Sequence, residues 1–195
     1  MFAAAAAVSI GAAILLVRAR GFSAAEPPGA LERWLAPRLR NASMPASAEE
    51  KTNPIPDSPE VRAEALAHWA DHCAICHANN GSGDAEMGKH MFPPAPDMRG
   101  PATQRLTDGE LFFIIQNGVR YTGMPAWGAS GGAHNEEDSW KLVRLIRRLP
   151  QLSLEEEQKM RELNPKSPEE LKEEEEEREF LNGGSTNEHA HHEHP

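Results

Sequence analysis

The sequence predicts an all-α domain of three or more helices joined by two long loops. The prediction is based on residues that typically begin and end helices. The first helix begins at Ser58, a serine N-cap that is followed by proline at the first helical position. The second begins at Thr107, where Glu110 completes a capping box, and it ends at Gly118. The third begins near Asn135, with acidic residues in its first turn and arginines in its last.

Two loops rich in glycine and proline, residues 79–101 and 119–133, separate these helices. The domain predicted at residues 58–150 therefore has few apolar side chains with which to build a core. A domain of this size buries too little surface to be stable on such a core alone. We expect a large apolar cofactor to complete the core.

Charge is concentrated in the C-terminal part of the chain. Of the 195 residues, 20 are Lys or Arg and 30 are Asp or Glu, and residues 151–195 contain 5 of the basic and 14 of the acidic ones. The remaining chain is nearly neutral, which excludes the basic surface of a nucleic-acid-binding protein. The pattern predicts an acidic helical extension at 151–181, with helices at 152–163 and from Ser167, and a disordered tail at 182–195.

The tail contains four closely spaced histidines: His189, His191, His192 and His194. Clustered imidazoles bind divalent ions such as Cu²⁺, Ni²⁺ or Zn²⁺. A divalent metal at the C-terminal tail is therefore one expectation, and a solubilising segment is the alternative.

Residues 1–20 contain an apolar segment in which the sixteen positions after the first methionine carry no charge. This length suits either a signal peptide or a short transmembrane anchor. The sequence predicts an anchor in the bacterial inner membrane, with cleavage near Ala25 and a soluble periplasmic protein as the alternative. A Pro-rich linker at 21–57, interrupted by an amphipathic patch at 31–35, would then separate the domain from the membrane.

A single short motif, Cys73-Ala74-Ile75-Cys76-His77, contains both cysteines of the chain and has the spacing of a c-type haem attachment site. Two thiols three residues apart at a helix end reach the two vinyl groups on one edge of a porphyrin, and His77 then ligates the iron. A redox dithiol or half of a zinc site is the alternative. A redox dithiol of the thioredoxin type requires a βαβ pattern, and a zinc site requires a second pair of ligands. The sequence has neither. The motif predicts one covalent haem c.

The second axial ligand of the iron has several candidates in the chain: Met87, Met91, Met98, Met124, His90 and His134. Met124 is preferred because it lies 47 residues beyond His77, between Gly123 and Pro125. Glycine lets the backbone approach the porphyrin, and proline stiffens the loop. The other methionines are expected to fill gaps beside the haem. Ligation by one of the two histidines would lower the reduction potential.

The Cys73–His77 motif, the proline-rich stretch 92–98 and the segment 123–125 with Trp127 resemble a class I mono-haem cytochrome c of the bacterial periplasmic type. The resemblance covers residues 58–150. It implies a small cytochrome c fold in which the first and last helices cross near the haem. It also implies maturation on the periplasmic side and a one-electron carrier, rather than an enzyme, that serves redox protein partners.

The resemblance further implies that a carbonyl of the proline loop accepts the Nδ1–H of His77, and Pro94 is chosen for this role over Pro93. Further donors lie near the motif in sequence and are candidates to bind the haem propionates: Arg99, Arg105, Arg120 and Trp127. Two other functions stay open at this point. One is a haem-based sensor or enzyme in which Met124 is displaced, and the other is a metal-handling protein that works through its tail.

Overall fold

A computed structural model of the chain describes residues 2–21, 28–128 and 134–181. Every regular element in these ranges is helical, which confirms the all-α prediction. The α-helices are, in chain order, α1 Phe2–Arg20, α2 Ala30–Ala42, α3 Ala46–Glu49, α4 Pro59–His68, α5 Ala74–His77, α6 Glu86–His90, α7 Pro101–Gln104, α8 Asp108–Asn117, α9 Glu136–Arg148, α10 Leu154–Leu163 and α11 Pro168–Leu181. A π-helical turn, Trp69–Cys73, joins α4 to α5, and a 3₁₀ turn, Leu149–Gln151, follows α9.

The predicted helix starts are confirmed by their side-chain caps. The Ser58 hydroxyl accepts a hydrogen bond from the backbone N–H of Val61 at 3.3 Å. The hydroxyl of Thr107 accepts from the N–H of Glu110 at 3.2 Å, and the Glu110 carboxylate accepts from the Thr107 N–H at 2.7 Å. The N-cap of α9 is Asn135, which forms the same reciprocal pair with its third helical residue. Each cap satisfies N–H groups that the helix itself leaves unpaired.

The core of the domain lies between α4, α8 and α9. Helix α9 packs against both of the others and buries one apolar face made of Leu142, Val143, Leu145 and Ile146. Phe112 of α8 stacks on Trp140 of α9, with ring centroids 4.0 Å apart. Trp69, at the end of α4, is almost completely buried in the same core. The first and last helices of the domain therefore pack together, as the resemblance implied.

The segment before α4 packs on the domain, an arrangement that the linker prediction did not include. Ala48 of α3 is buried, and its carbonyl approaches Gly109 so closely that a Cβ there would lie 1.9 Å away. The Asn53 amide donates to the carbonyl of Trp140 at 2.9 Å. The linker also contains a thirteen-residue helix, α2, which is longer than the predicted patch at 31–35. The last part of the linker, which contains Ala48 and Asn53, is therefore a structural element of the domain.

The segment after α9 also packs on the domain. Met160 of α10 is completely buried, and Arg148 pairs with Glu156 at 3.1 Å. The compact unit thus extends to Leu163, beyond the predicted boundary at residue 150. The described residues that follow, 164–181, belong to a separate unit, in which the predicted helix start at Ser167 caps α11.

The predicted transmembrane anchor is not supported. Among the described residues, no helix is both long enough and apolar enough to cross a membrane. The suggested cleavage point near Ala25 and the His-containing tail at 182–195 lie outside the described residues.

Candidate haem site

The cysteine motif lies at the end of a helix that changes its winding just before it. The π-helical turn Trp69–Cys73 inserts one extra residue between α4 and α5. An extra residue rotates every later position by about 100° around the helix. Such turns are frequent at functional sites because they redirect side chains. Here the turn determines the direction in which Cys76 and His77 leave the helix.

The backbone reverses directly after the motif at Ala78, which has φ 59° and ψ 161°. A residue with a Cβ is strained in this region, which is normally occupied by glycine. The conformation places the Ala78 carbonyl where the indole N–H of Trp69 donates to it at 3.1 Å. The buried Trp69 therefore holds the residue that directly follows His77 in place.

Replacing Ala78 with glycine is expected to stabilise the protein by about 1 kcal/mol. The strain costs roughly 1–3 kcal/mol, and the added freedom of glycine in the unfolded chain offsets about 0.5–1 kcal/mol of the relief. Denaturant unfolding of the haem-loaded protein measures the change. The matched control is Ala74→Gly inside α5, which should destabilise by about 1 kcal/mol. Equal destabilisation by both variants would show that Ala78 is unstrained.

The imidazole of His77 is partly buried, and its Nδ1 atom is completely buried. Burial lowers its pKa, and the backbone carbonyl of Pro96 partly opposes that shift. His77 is therefore neutral at pH 7, the form in which imidazole ligates a metal. Its buried Nδ1 has no hydrogen bond of good geometry, so Pro96 provides an acceptor that is only loosely aligned.

The backbone carbonyl that acts on the pKa of His77 is that of Pro96, whereas the sequence suggested Pro94 as the acceptor. Backbone hydrogen bonds set this register. The N–H of Ala95 donates to Gly88 at 3.0 Å, and the N–H of Met98 donates to Gly81 at 2.8 Å. These bonds fix the proline loop at Ala95 and at Met98, on either side of Pro96. The proline pattern alone contains no signal for this register.

The proline loop also contacts the motif itself through α6. A Cβ at Gly88 would lie 1.9 Å from the carbonyl oxygen of Cys76, so only glycine permits this approach. The contact fixes the second cysteine relative to the loop.

An apolar cleft opens between His77 and the second loop. Its lining is mostly aliphatic, aromatic or sulfur-containing, and consists of Trp69, Cys73, His77, Met98, Ile115, Met124, Trp127, Leu142 and Ile146. The cleft therefore brings together one predicted cysteine, the predicted proximal histidine and the preferred methionine. Trp127, predicted as a propionate donor, lines it as well.

Two methionines, Met98 and Met124, line the cleft, and their packing differs. Met98 packs against the apolar core, and its backbone is two residues from Pro96, on the Nδ1 side of His77. Met124 is not among the side chains packed on that core. It enters the cleft from the second loop.

The loop that presents Met124 is internally hydrogen-bonded. The N–H of Met124 donates to the Thr122 hydroxyl at 3.1 Å, and the carbonyl of Met124 accepts from the N–H of Val119 at 3.1 Å. Gly118, with φ 65°, allows this turn, because a Cβ there would lie 2.6 Å from the Met124 carbonyl. The N–H of Trp127 then donates to Ile115 at 3.1 Å and ties the loop to α8.

The remaining candidate ligands are not among the residues that line the cleft. Met87 and His90 are exposed on α6, and the sulfur of Met91 lies beside Gly123. His134 is hydrogen-bonded to His68 at 2.7 Å.

The predicted arginine donors do not converge on the cleft. Arg99 forms a two-pronged ion pair with Asp97 at 2.9 Å. Arg105 and Arg120 are exposed. Of the four predicted propionate donors, only Trp127 is among the residues that line the cleft.

The thiols lack the properties of a redox pair. Burial raises the pKa of Cys73 to about 12, with the neighbouring Cys76 adding to the effect. Burial also raises the pKa of Cys76. A reactive dithiol requires a lowered thiol pKa. The arrangement suits thioether attachment instead, which needs no free thiolate in the finished protein.

Residues 61–146 match the family described as cytochrome C oxidase, cbb3-type, subunit III. The match contains both the cysteine motif and the Met124 loop. These residues are a c-type cytochrome domain. A domain of this type implies a covalently bound haem c and electron transfer through it. Comparison of this cytochrome with curated proteins finds no match.

The residues present fit a haem in their chemistry. The cleft has the apolar lining that a porphyrin requires, and both Cys73 of the motif and the neutral imidazole of His77 line it. The unsatisfied Nδ1 of His77 also fits, because a ligating histidine uses that atom to donate to an outer acceptor.

Proposed function

We propose that this cytochrome is a one-electron carrier whose single haem is attached through Cys73 and Cys76 and ligated by His77 and Met124. The observation that carries the proposal is the lining of the cleft. Apart from His77, the described residues that line it include no carboxylate, histidine, lysine or arginine that could act on a substrate. A haem with two protein ligands supplies a reversible Fe³⁺/Fe²⁺ couple and has no open coordination site.

The surface around the motif supports transfer to a protein partner. Within the described part of residues 58–150, four large apolar side chains are exposed: Ile75, Met87, Phe92 and Tyr121. Ile75 lies between the two cysteines, and Tyr121, which is 93% exposed, belongs to the Met124 loop. We propose that these four side chains surround the haem edge and form a docking surface. Apolar surface that a protein leaves exposed often marks such contacts.

The segments that carry these side chains are linked by direct contacts. Gly88, next to Met87, abuts the carbonyl of Cys76, and Met91, next to Phe92, abuts Gly123 of the Met124 loop. The exposed apolar groups therefore belong to neighbouring segments rather than to scattered ones. The proposal also places the haem domain in the periplasm, where the cytochromes that it resembles are matured.

The proposal is tested with the wild-type holoprotein in two measurements. A potentiometric titration should give one reversible wave with the slope of a single electron. Carbon monoxide should bind the reduced protein slowly or not at all, because both axial positions are filled. Rapid carbon monoxide binding would instead favour a gas sensor or an enzyme, in which Met124 is displaced by a small molecule.

A further inference from the structure

A second cluster of metal-binding side chains lies outside the haem cleft. His68 is the last residue of α4, His134 immediately precedes the N-cap of α9, and Asp138 lies in the first turn of α9. One ligand atom from each of the three lies within 4.8 Å of the other two. None of the three lines the haem cleft. We propose that they form a second metal site, which binds a borderline divalent cation, Zn²⁺ or Cu²⁺.

The spacing of the ligand atoms suits such an ion after a small movement. His134 Nδ1 and His68 Nε2 are 2.7 Å apart, close enough to share a proton in the absence of metal. Bonds of about 2.0–2.1 Å in tetrahedral geometry place neighbouring ligand atoms about 3.3 Å apart. The two rings therefore need to separate by only about 0.6 Å, and the metal then replaces the proton between them.

The outer contacts of His134 are those of a metal ligand. Its Nε2 lies 2.6 Å from the hydroxyl of Ser139, which is completely buried. The Ser139 hydroxyl also accepts from the amide of Gln116 at 2.6 Å. A ligating histidine usually donates its second ring N–H to a fixed acceptor, which sets the orientation of the ring. Ser139 is such an acceptor, and it leaves Nδ1 of His134 to face His68.

The electrostatics of the cluster favour a cation. Burial lowers the pKa of His68, and His134 and His72 lower it further. Burial also lowers the pKa of His134. The negative charge of Asp138 raises the pKa of both imidazoles and so opposes the effect of burial. The charge of Asp71 also raises the pKa of His68. Two neutral imidazoles beside a carboxylate form a ligand set of the kind that Zn²⁺ and Cu²⁺ bind.

The neighbouring His72 lies outside this ligand set. Its ring is 4.8 Å from that of His68, but its Nε2 pairs with Asp71 at 3.2 Å. We therefore expect water in the fourth position of a tetrahedral ion.

The test uses the full-length holoprotein, in which the tail histidines compete for metal. The background variant therefore carries asparagine in place of four residues: His189, His191, His192 and His194. Equilibrium dialysis against Zn²⁺, followed by metal and haem analysis, should give one zinc per haem in this background. Adding His68→Asn and His134→Asn together should abolish zinc binding, while the haem spectrum stays unchanged and reports an intact domain.

Two further variants sharpen the result. Asp138→Asn keeps an oxygen that can accept from the N–H of Asn135 but removes the charge, so zinc should bind at least tenfold more weakly. The control His90→Asn removes an exposed histidine on α6 and should leave the stoichiometry at one. The proposal is wrong if the background binds no zinc, because the two histidines are then only a hydrogen-bonded pair. Zinc that persists after His68→Asn and His134→Asn would also overturn it.

Discussion

Protein that carries Cys73→Ala and Cys76→Ala together should contain no covalently bound haem. The sequence has no other thiol that could form a thioether. A denaturing gel stained for haem peroxidase activity should show a band for the wild type and none for the double variant. Each single variant should retain a weaker band, because one thioether still forms.

The matched control for this experiment is Ile75→Ala. Ile75 lies between the two cysteines in α5, and its side chain is exposed. Its removal should leave haem attachment at the wild-type level, whereas a general disturbance of α5 would reduce it. Persistent staining of the double cysteine variant would refute the attachment site.

Replacing Met124 with alanine should open the distal position of the iron and leave the haem attached. Carbon monoxide should then bind the reduced protein readily, and the weak near-infrared band of sulfur-ligated ferric haem should disappear. The reduction potential should fall because a thioether favours ferrous iron, whereas water favours ferric iron. The expected fall is on the order of 0.1 V, within the roughly 0.8 V range that axial ligands cover.

The decisive control for Met124 is Met98→Ala, since both methionines line the cleft. Met98 packs on the core, so its loss should lower stability but keep the near-infrared band. Met91→Ala, which removes the sulfur beside Gly123, should also keep the band. Loss of the band in Met98→Ala alone would transfer the ligand role to Met98 and would leave the cytochrome assignment intact.

The parts of the fold that the sequence predicted are those encoded locally. Helices α4, α8 and α9 begin at the expected residues because each cap involves side chains only three positions apart, as with Thr107 and Glu110. The cysteine motif is local in the same sense, since its function depends on spacing within five residues. Such features are present in the sequence as short patterns.

Features that depend on long-range packing were not predictable in this way. The choice of Pro96 over Pro94 depends on backbone bonds between the proline loop and Gly81 and Gly88. The burial of Met160 depends on the packing of α10 against α4, to which its acidic composition gives no clue.

The histidine cluster was missed for the same reason. His68 and His134 are 66 residues apart in sequence, and only the packing of α4 against α9 brings them together. Trp69 lines the cleft and donates a hydrogen bond to the carbonyl of Ala78 after His77, a contact that likewise depends on the packing of the fold.

The most direct test of the account is the intact mass of the purified wild-type protein under denaturing conditions. A c-type cytochrome with this single motif should have the mass of the chain plus one haem, and neither Cys73 nor Cys76 should react with a thiol alkylating agent. The mass of the bare chain, with two thiols that can be alkylated, from cells that mature other c-type cytochromes would contradict it.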